Sequence, residues 1–169
     1  MTGNAFYVID SSSLINLRQY YPLSVFKSLW KKCEELIHQD RLGAPTIVLT
    51  ELERKDDELK KWAQKHQNHL FHENPDHYLK AREILQTFPK LINSALEHEQ
   101  ADPFVIAMAL DRIEGPQKSL FSSNQVYLVT EEKFTGKRKK KTTIPEVCNY
   151  YEVPCIPILE MIIKEGWEF

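Results

Sequence analysis

"FYVIDSSSLI", residues 6–15, decides how this chain is read. Phe6 to Ile9 are aromatic and β-branched, the pattern of a short buried strand. The run stops on a carboxylate, Asp10, and three serines follow. The serines are helix N-cap candidates, so the strand should pass directly into a helix that Pro22 ends. A carboxylate at the edge of a core is costly unless something pairs with it. Asp10 is therefore a cap, a member of a site, or both.

Outward from this stretch the chain alternates. Residues 23, 26, 29, 30, 33, 36 and 37 are apolar at helical spacing, and Gly43 sits where that helix would stop. A short strand is expected near residues 41–44, then a helix from Pro45 carrying "TIVLTELERK". Residues 66–100 read as mostly helical, split by Pro89. "ADPFVIAMALDRI" is apolar nearly all round, which marks a buried helix, with Asp102 as its expected N-cap. "QVYLVTEE" is a second strand ending on carboxylates, Glu131 and Glu132. "TIPEVCNYYEV" predicts a short helix, "PCIPIL" a last strand and "LEMIIKEGWEF" a closing helix.

Strands alternating with helices imply an α/β fold with a mostly parallel central sheet. The expected organisation is one domain over residues 1–169, with residues about 55–100 forming a helical elaboration. Hydrophobic residues make up 42% and charged residues 27%, which suits a globular chain and argues against disorder. The net charge of −2 gives no overall pull toward nucleic acid or membrane. No apolar run is long enough to span a bilayer. Cys33, Cys148 and Cys155 form an odd set without a CxxC pair, and no signal peptide is present, so a cytoplasmic location is expected.

In a parallel sheet the carboxyl ends of the strands share one edge, where ligands bind near the topological switch point. Asp10 and Glu131/Glu132 would face that edge, Asp102 would open the buried helix, and Glu51 sits among hydrophobic neighbours. Like charges brought together in a low dielectric repel, and a divalent cation would resolve the conflict. Oxygen-only ligands suit Mg²⁺ or Mn²⁺.

The ordered set "VIDSSSLI … VLTELER … ADPFVIAMAL … LVTEEKF" resembles the PIN domain, the nuclease fold of many bacterial toxin ribonucleases, in a DUF4411-type branch. The resemblance implies a three-layer α/β/α sandwich and metal-dependent hydrolysis of RNA phosphodiester bonds. It assigns Asp10, Glu51, Asp102 and Glu132 as catalytic and metal-binding residues for one or two Mg²⁺ or Mn²⁺ ions, with Glu131 as competitor for the fourth place. Ser12 and Thr130 would hydrogen-bond and fix those carboxylates. An RNA substrate, a neutralising antitoxin protein and a homodimer are the partners it implies, with no membrane. The sequence departs from the usual pattern in its fourth acid, its long helical middle and its basic "TGKRKKKT".

That basic run, Lys137, Arg138, Lys139, Lys140 and Lys141, follows the second acidic strand end and would contact RNA phosphates there. A solvated loop is its ordinary alternative. Tyr20, Tyr21 and Phe134 could stack on bases, with core packing the expected role. His66, His69, His72 and His77 are expected on an exposed polar face rather than at a metal. Two rival functions stand beside the nuclease: an inactive PIN-like RNA- or protein-binding module, and a small-molecule phosphatase. The phosphatase is weakened because a second Asp two residues after the first is replaced by Ser12.

Overall fold

The computed structural model describes residues 4–55, 57–115, 125–135 and 141–169. Five strands, β1 (Phe6–Ile9), β2 (Leu42–Pro45), β3 (Phe71–His72), β4 (Val126–Val129) and β5 (Cys155–Ile156), form a sheet in the order β3-β2-β1-β4-β5. Every pairing is parallel. The helices are α1 (Ser11–Tyr20), α2 (Lys27–His38), α3 (Thr46–Lys55), α4 (Asp57–Lys65), α5 (Gln67–Leu70), α6 (Pro75–Thr87), α7 (Asp102–Glu114), α8 (Ile144–Tyr151) and α9 (Ile158–Lys164). The α/β class is as expected, and the arrangement is compatible with a three-layer α/β/α sandwich.

The chain order places the switch point. After β1 the chain builds outward through β2 and β3, then returns to the other side of β1 with β4. The register pairs Ile9 with Val129, so both strands end level, and Asp10 and Thr130 are the next residues out. A crevice therefore opens beyond the carboxyl ends of β1 and β4.

Local chemistry explains most of the elements. Asp10 is the N-cap of α1, accepting from the Ser13 N–H, so the serines lie inside the first turn rather than at the cap. α2 buries Leu29, Trp30, Cys33, Leu36 and Ile37 on one face. It ends at His38, and Asp40 at φ 54° makes the turn assigned to Gly43 from sequence. Gly43 is a strand residue instead. A Cβ there would stand 3.1 Å from the end of the Met108 side chain and 3.2 Å from Phe6 and His72, so glycine lets α7 pack close to the sheet. Pro45 ends β2 rather than opening α3. α7 is buried from Val105 to Leu110, and at the start of α8 the Thr143 N–H donates to the Glu146 carboxylate at 3.1 Å.

The stretch 66–100 departs most from expectation. It holds α5 and α6, but Phe71–His72 returns to the sheet as β3, and after a short 3₁₀ turn at Pro89–Leu91 no helix follows until α7. Two residues paired to β2 satisfy their backbone groups through the neighbouring strand, so no periodicity of their own is required.

Candidate functional site

Asp10, Glu51, Asp102 and Glu132 line one cleft of about 400 Å³ at the switch point, together with Ser11, Ser12, Asn16, Arg54, Lys55, His98 and Lys141. Asp10 comes from the end of β1, Glu51 from α3, Asp102 from the first position of α7 and Glu132 from beyond β4.

Asp10 is buried, with 3% of its surface exposed. The Ser13 N–H donates to its Oδ1 at 2.9 Å, and the Ser12 hydroxyl lies 2.9 and 2.8 Å from its two oxygens. The Thr130 hydroxyl donates to Oδ2 at 2.5 Å. Those hydroxyls are themselves oriented. The Glu131 N–H donates to Ser12 Oγ at 3.2 Å, and the Glu132 N–H donates to Thr130 Oγ1 at 3.1 Å. A hydroxyl that accepts from the backbone turns its own hydrogen elsewhere, and the carboxylate is in reach. The sequence expectation that Ser12 and Thr130 fix this carboxylate agrees with that geometry. Three donors leave part of the carboxylate's acceptor capacity unused, so capping and a further ligand are compatible.

Glu51 is hydrogen-bonded through both oxygens. Ser11 Oγ donates to Oε2 at 2.5 Å and the Ala101 N–H donates to Oε1 at 2.8 Å. It thus joins the amino ends of α1 and α7, whose partial positive charges face the cleft. Asp102 does not cap α7: Ala101 holds the cap position without a side-chain bond, and Asp102 is the first helical residue. Its Oδ2 lies 3.5 Å from the Lys141 ammonium.

The two adjacent glutamates separate cleanly. Glu132 accepts the Ile144 N–H at 2.8 Å, and its other oxygen is 3.7 Å from Lys141 Nζ in the cleft. Glu131 turns away and accepts the Ile158 N–H at 2.8 Å, capping α9. Glu132, not its competitor Glu131, is the fourth cleft carboxylate.

Electrostatics register the convergence. Burial pushes the Asp10 carboxyl up to about 6, against the pull of its three donors and with added repulsion from Glu132. Burial also pushes Asp102 up to about 7, with Glu132, Asp10 and Glu51 adding repulsion and Lys141 opposing it. Among the described residues no three His, Cys, Asp or Glu side chains form a ready-made metal cage. The donor chemistry still fits a hard divalent ion, which is commonly held by one or two carboxylates and several waters. A cation already stands between Asp102 and Glu132, in the form of Lys141.

A family model described as a domain of unknown function, DUF4411, matches residues 7–169. The chain belongs to the DUF4411 family. No curated protein and no solved structure matches it. The family match spans all the cleft carboxylates and every strand but for Phe6, the first residue of β1.

Several expectations change here. Of the basic run, Lys141 lines the cleft, and Lys137, Arg138, Lys139 and Lys140 lie outside the described residues. Arg54 and Lys55 at the end of α3, with His98 and Asn16, were missed as cleft residues. Arg54 was findable, since it lies three residues after Glu51 and so shares its helix face. His98 belongs to a stretch without helix or strand and carries no such signal.

The histidine reading needs correction. His66 and His77 are buried, not exposed. The His66 ring lies 3.1 Å from Glu34, and the His77 ring 3.3 Å from Asp111. Core packing also fails for Tyr20 and Phe134, which are 65% and 61% exposed, whereas Tyr21 packs edge-on against Phe26.

Proposed function

We propose that this chain is a Mg²⁺- or Mn²⁺-dependent ribonuclease of the PIN type. One observation carries the reading: four carboxylates from four separate segments line a single cleft, against three lysine and arginine side chains, Arg54, Lys55 and Lys141, among the described residues. Asp10 and Asp102 would hold the ion, Glu132 would bind it directly or through water, and Glu51 would keep the amino ends of α1 and α7 in place around it. When bound, such an ion makes a water nucleophilic and offsets charge on a phosphoryl group.

The chain's own residues supply the rest. Ser12 and Thr130 hold the Asp10 carboxylate in one orientation. The Ile144 N–H does the same for Glu132. Arg54 and Lys55 line the cleft with the acids and would draw a polyanion past them. Exposed Phe134, two residues after Glu132, offers a face for an unpaired base.

A second reading has one observation in its favour. Lys141 already sits between Asp102 and Glu132, as it would in a binding module that has given up catalysis. The phosphatase reading loses ground, because Ser12 is engaged in holding Asp10. The toxin role, an antitoxin partner, homodimerisation and a cytoplasmic location are proposals that rest on the sequence reading. Among the described residues no helix is long and apolar enough to cross a membrane.

The test is cleavage of single-stranded RNA by the purified chain with Mn²⁺ or Mg²⁺. EDTA should abolish it, and so should Asp10→Asn or Asp102→Asn in protein that still folds. RNA binding without cleavage under any metal condition would favour the binding module.

A further inference from the structure

The charge opposite Asp102 and Glu132 is a lysine, and a loosely held one. Lys141 Nζ stands 3.5 Å from Asp102 Oδ2 and 3.7 Å from Glu132 Oε1, longer than the roughly 2.7–2.9 Å of a strong charged hydrogen bond. Its side chain is half exposed, and exposed pairs of this kind contribute little. Elsewhere the same chain binds a buried carboxylate firmly: Arg41 grips Glu165 with two nitrogens at 2.5 and 3.0 Å. The lysine at the cleft is therefore the kind of partner that can be exchanged.

Its surroundings are built to stay when it leaves. The Thr142 N–H donates to the Lys90 carbonyl at 3.1 Å, and the Thr143 N–H donates to Glu146 at 3.1 Å, so the backbone just after Lys141 is anchored. Glu132 is fixed independently by the Ile144 N–H. Only the four-carbon stem of Lys141 needs to swing. Lysine suits this, being a flexible point charge rather than a rigid fork.

We propose that Lys141 is a tethered counter-ion: it occupies the Asp102–Glu132 pair until a divalent ion displaces it, and its ammonium then contacts a phosphate of the bound nucleic acid. This rests on the metal-dependent reading above and adds a positioning residue to it. A divalent ion brings two charges where the lysine brings one, and four carboxylates share the cleft. The exchange also moves one positive charge from the carboxylates to the substrate, without any change in the fold.

The experiment is calorimetric titration of the full chain with Mn²⁺, without RNA, for wild type, Lys141→Met and Lys141→Arg. Removing a competitor worth about 0.2–1 kcal/mol should tighten Mn²⁺ binding by up to about fivefold in Lys141→Met. Lys141→Arg should stay near wild type. In a second arm, RNA binding by Lys141→Met at saturating Mn²⁺ should lose about one unit of slope against log salt. Should the Met variant misfold, Lys141→Gln replaces it with the same expectations. Equal or weaker Mn²⁺ affinity in a folded variant that still binds the ion overturns the counter-ion role alone. An unchanged salt slope overturns the transfer to phosphate. Absence of Mn²⁺ binding in wild type and variants alike overturns the metal reading and this inference together.

Discussion

Two groups of carboxylates drawn wholly or partly out of solvent are treated in opposite ways. Glu165, after α9, is almost fully buried, and it receives the Arg41 guanidinium at two points and the Tyr7 hydroxyl at 2.7 Å. Arg41 in turn donates to the Ala5 carbonyl at 3.1 Å, so the network is closed. At the cleft, Asp10 is buried too and Asp102 is half-buried, but they receive hydroxyls, one backbone N–H and a distant lysine. A chain able to neutralise a structural carboxylate completely leaves its cleft carboxylates under-compensated. Under the proposed function, the contrast separates a group that holds the fold from groups that would take a metal ion.

The contrast breaks most sharply under substitution. Asp102→Asn should cut RNA cleavage by about 10³-fold or more, several kcal/mol of lost transition-state stabilisation, with melting temperature at pH 8 equal to or above wild type. Glu165→Gln should do the reverse. It leaves Arg41 facing an uncharged amide in a buried setting, so stability should fall by about 3–5 kcal/mol in denaturant melts. Folded protein of either variant should keep the corresponding other property.

A pH experiment sharpens the same comparison. The folded-state pKa values of Asp10 and Asp102, about 6 and about 7, lie above the unfolded value of about 3.9. Between those values the folded state binds more protons, so these groups lower stability as pH rises from about 4 through 7. Metal-free wild type should therefore lose melting temperature over that range relative to an Asp10→Asn/Asp102→Asn double variant. Mg²⁺ should raise the melting temperature more at pH 8 than at pH 5, where protons compete for the same oxygens.

Smaller effects should mark the supporting residues. Thr130→Val removes a donor that holds Asp10, and metal affinity should fall about tenfold with little change in fold. Ser12→Ala should act in the same direction. Arg54→Gln should leave metal affinity near wild type while lowering the salt slope of RNA binding by about one unit.

Much of this was legible in the sequence, for identifiable reasons. β1 and β4 are unbroken apolar runs with an acid within two residues of their carboxyl ends, so those two ends pointed to a shared edge before any distance was known, while Asp102 was readable only as the acid that opens apolar α7. Asp10 was readable both as cap and as site residue, and it caps α1 while lining the cleft. β3 was not readable, because two residues cannot show a period and their pairing to β2 is a tertiary fact. The choice between Glu131 and Glu132 was equally invisible, since it depends on which side of the chain α8 and α9 present their amino ends. The buried histidines misled because polar sequence neighbours imply a surface, whereas Glu34 and Asp111 arrive from other helices.

Mn²⁺ titration of wild type against the Asp10→Asn/Asp102→Asn double variant tests the central claim most directly. Wild type should bind one or two ions saturably, and a double variant that remains folded should not. Wild-type protein that takes up no Mn²⁺, or a double variant that binds it as tightly as wild type, would contradict it.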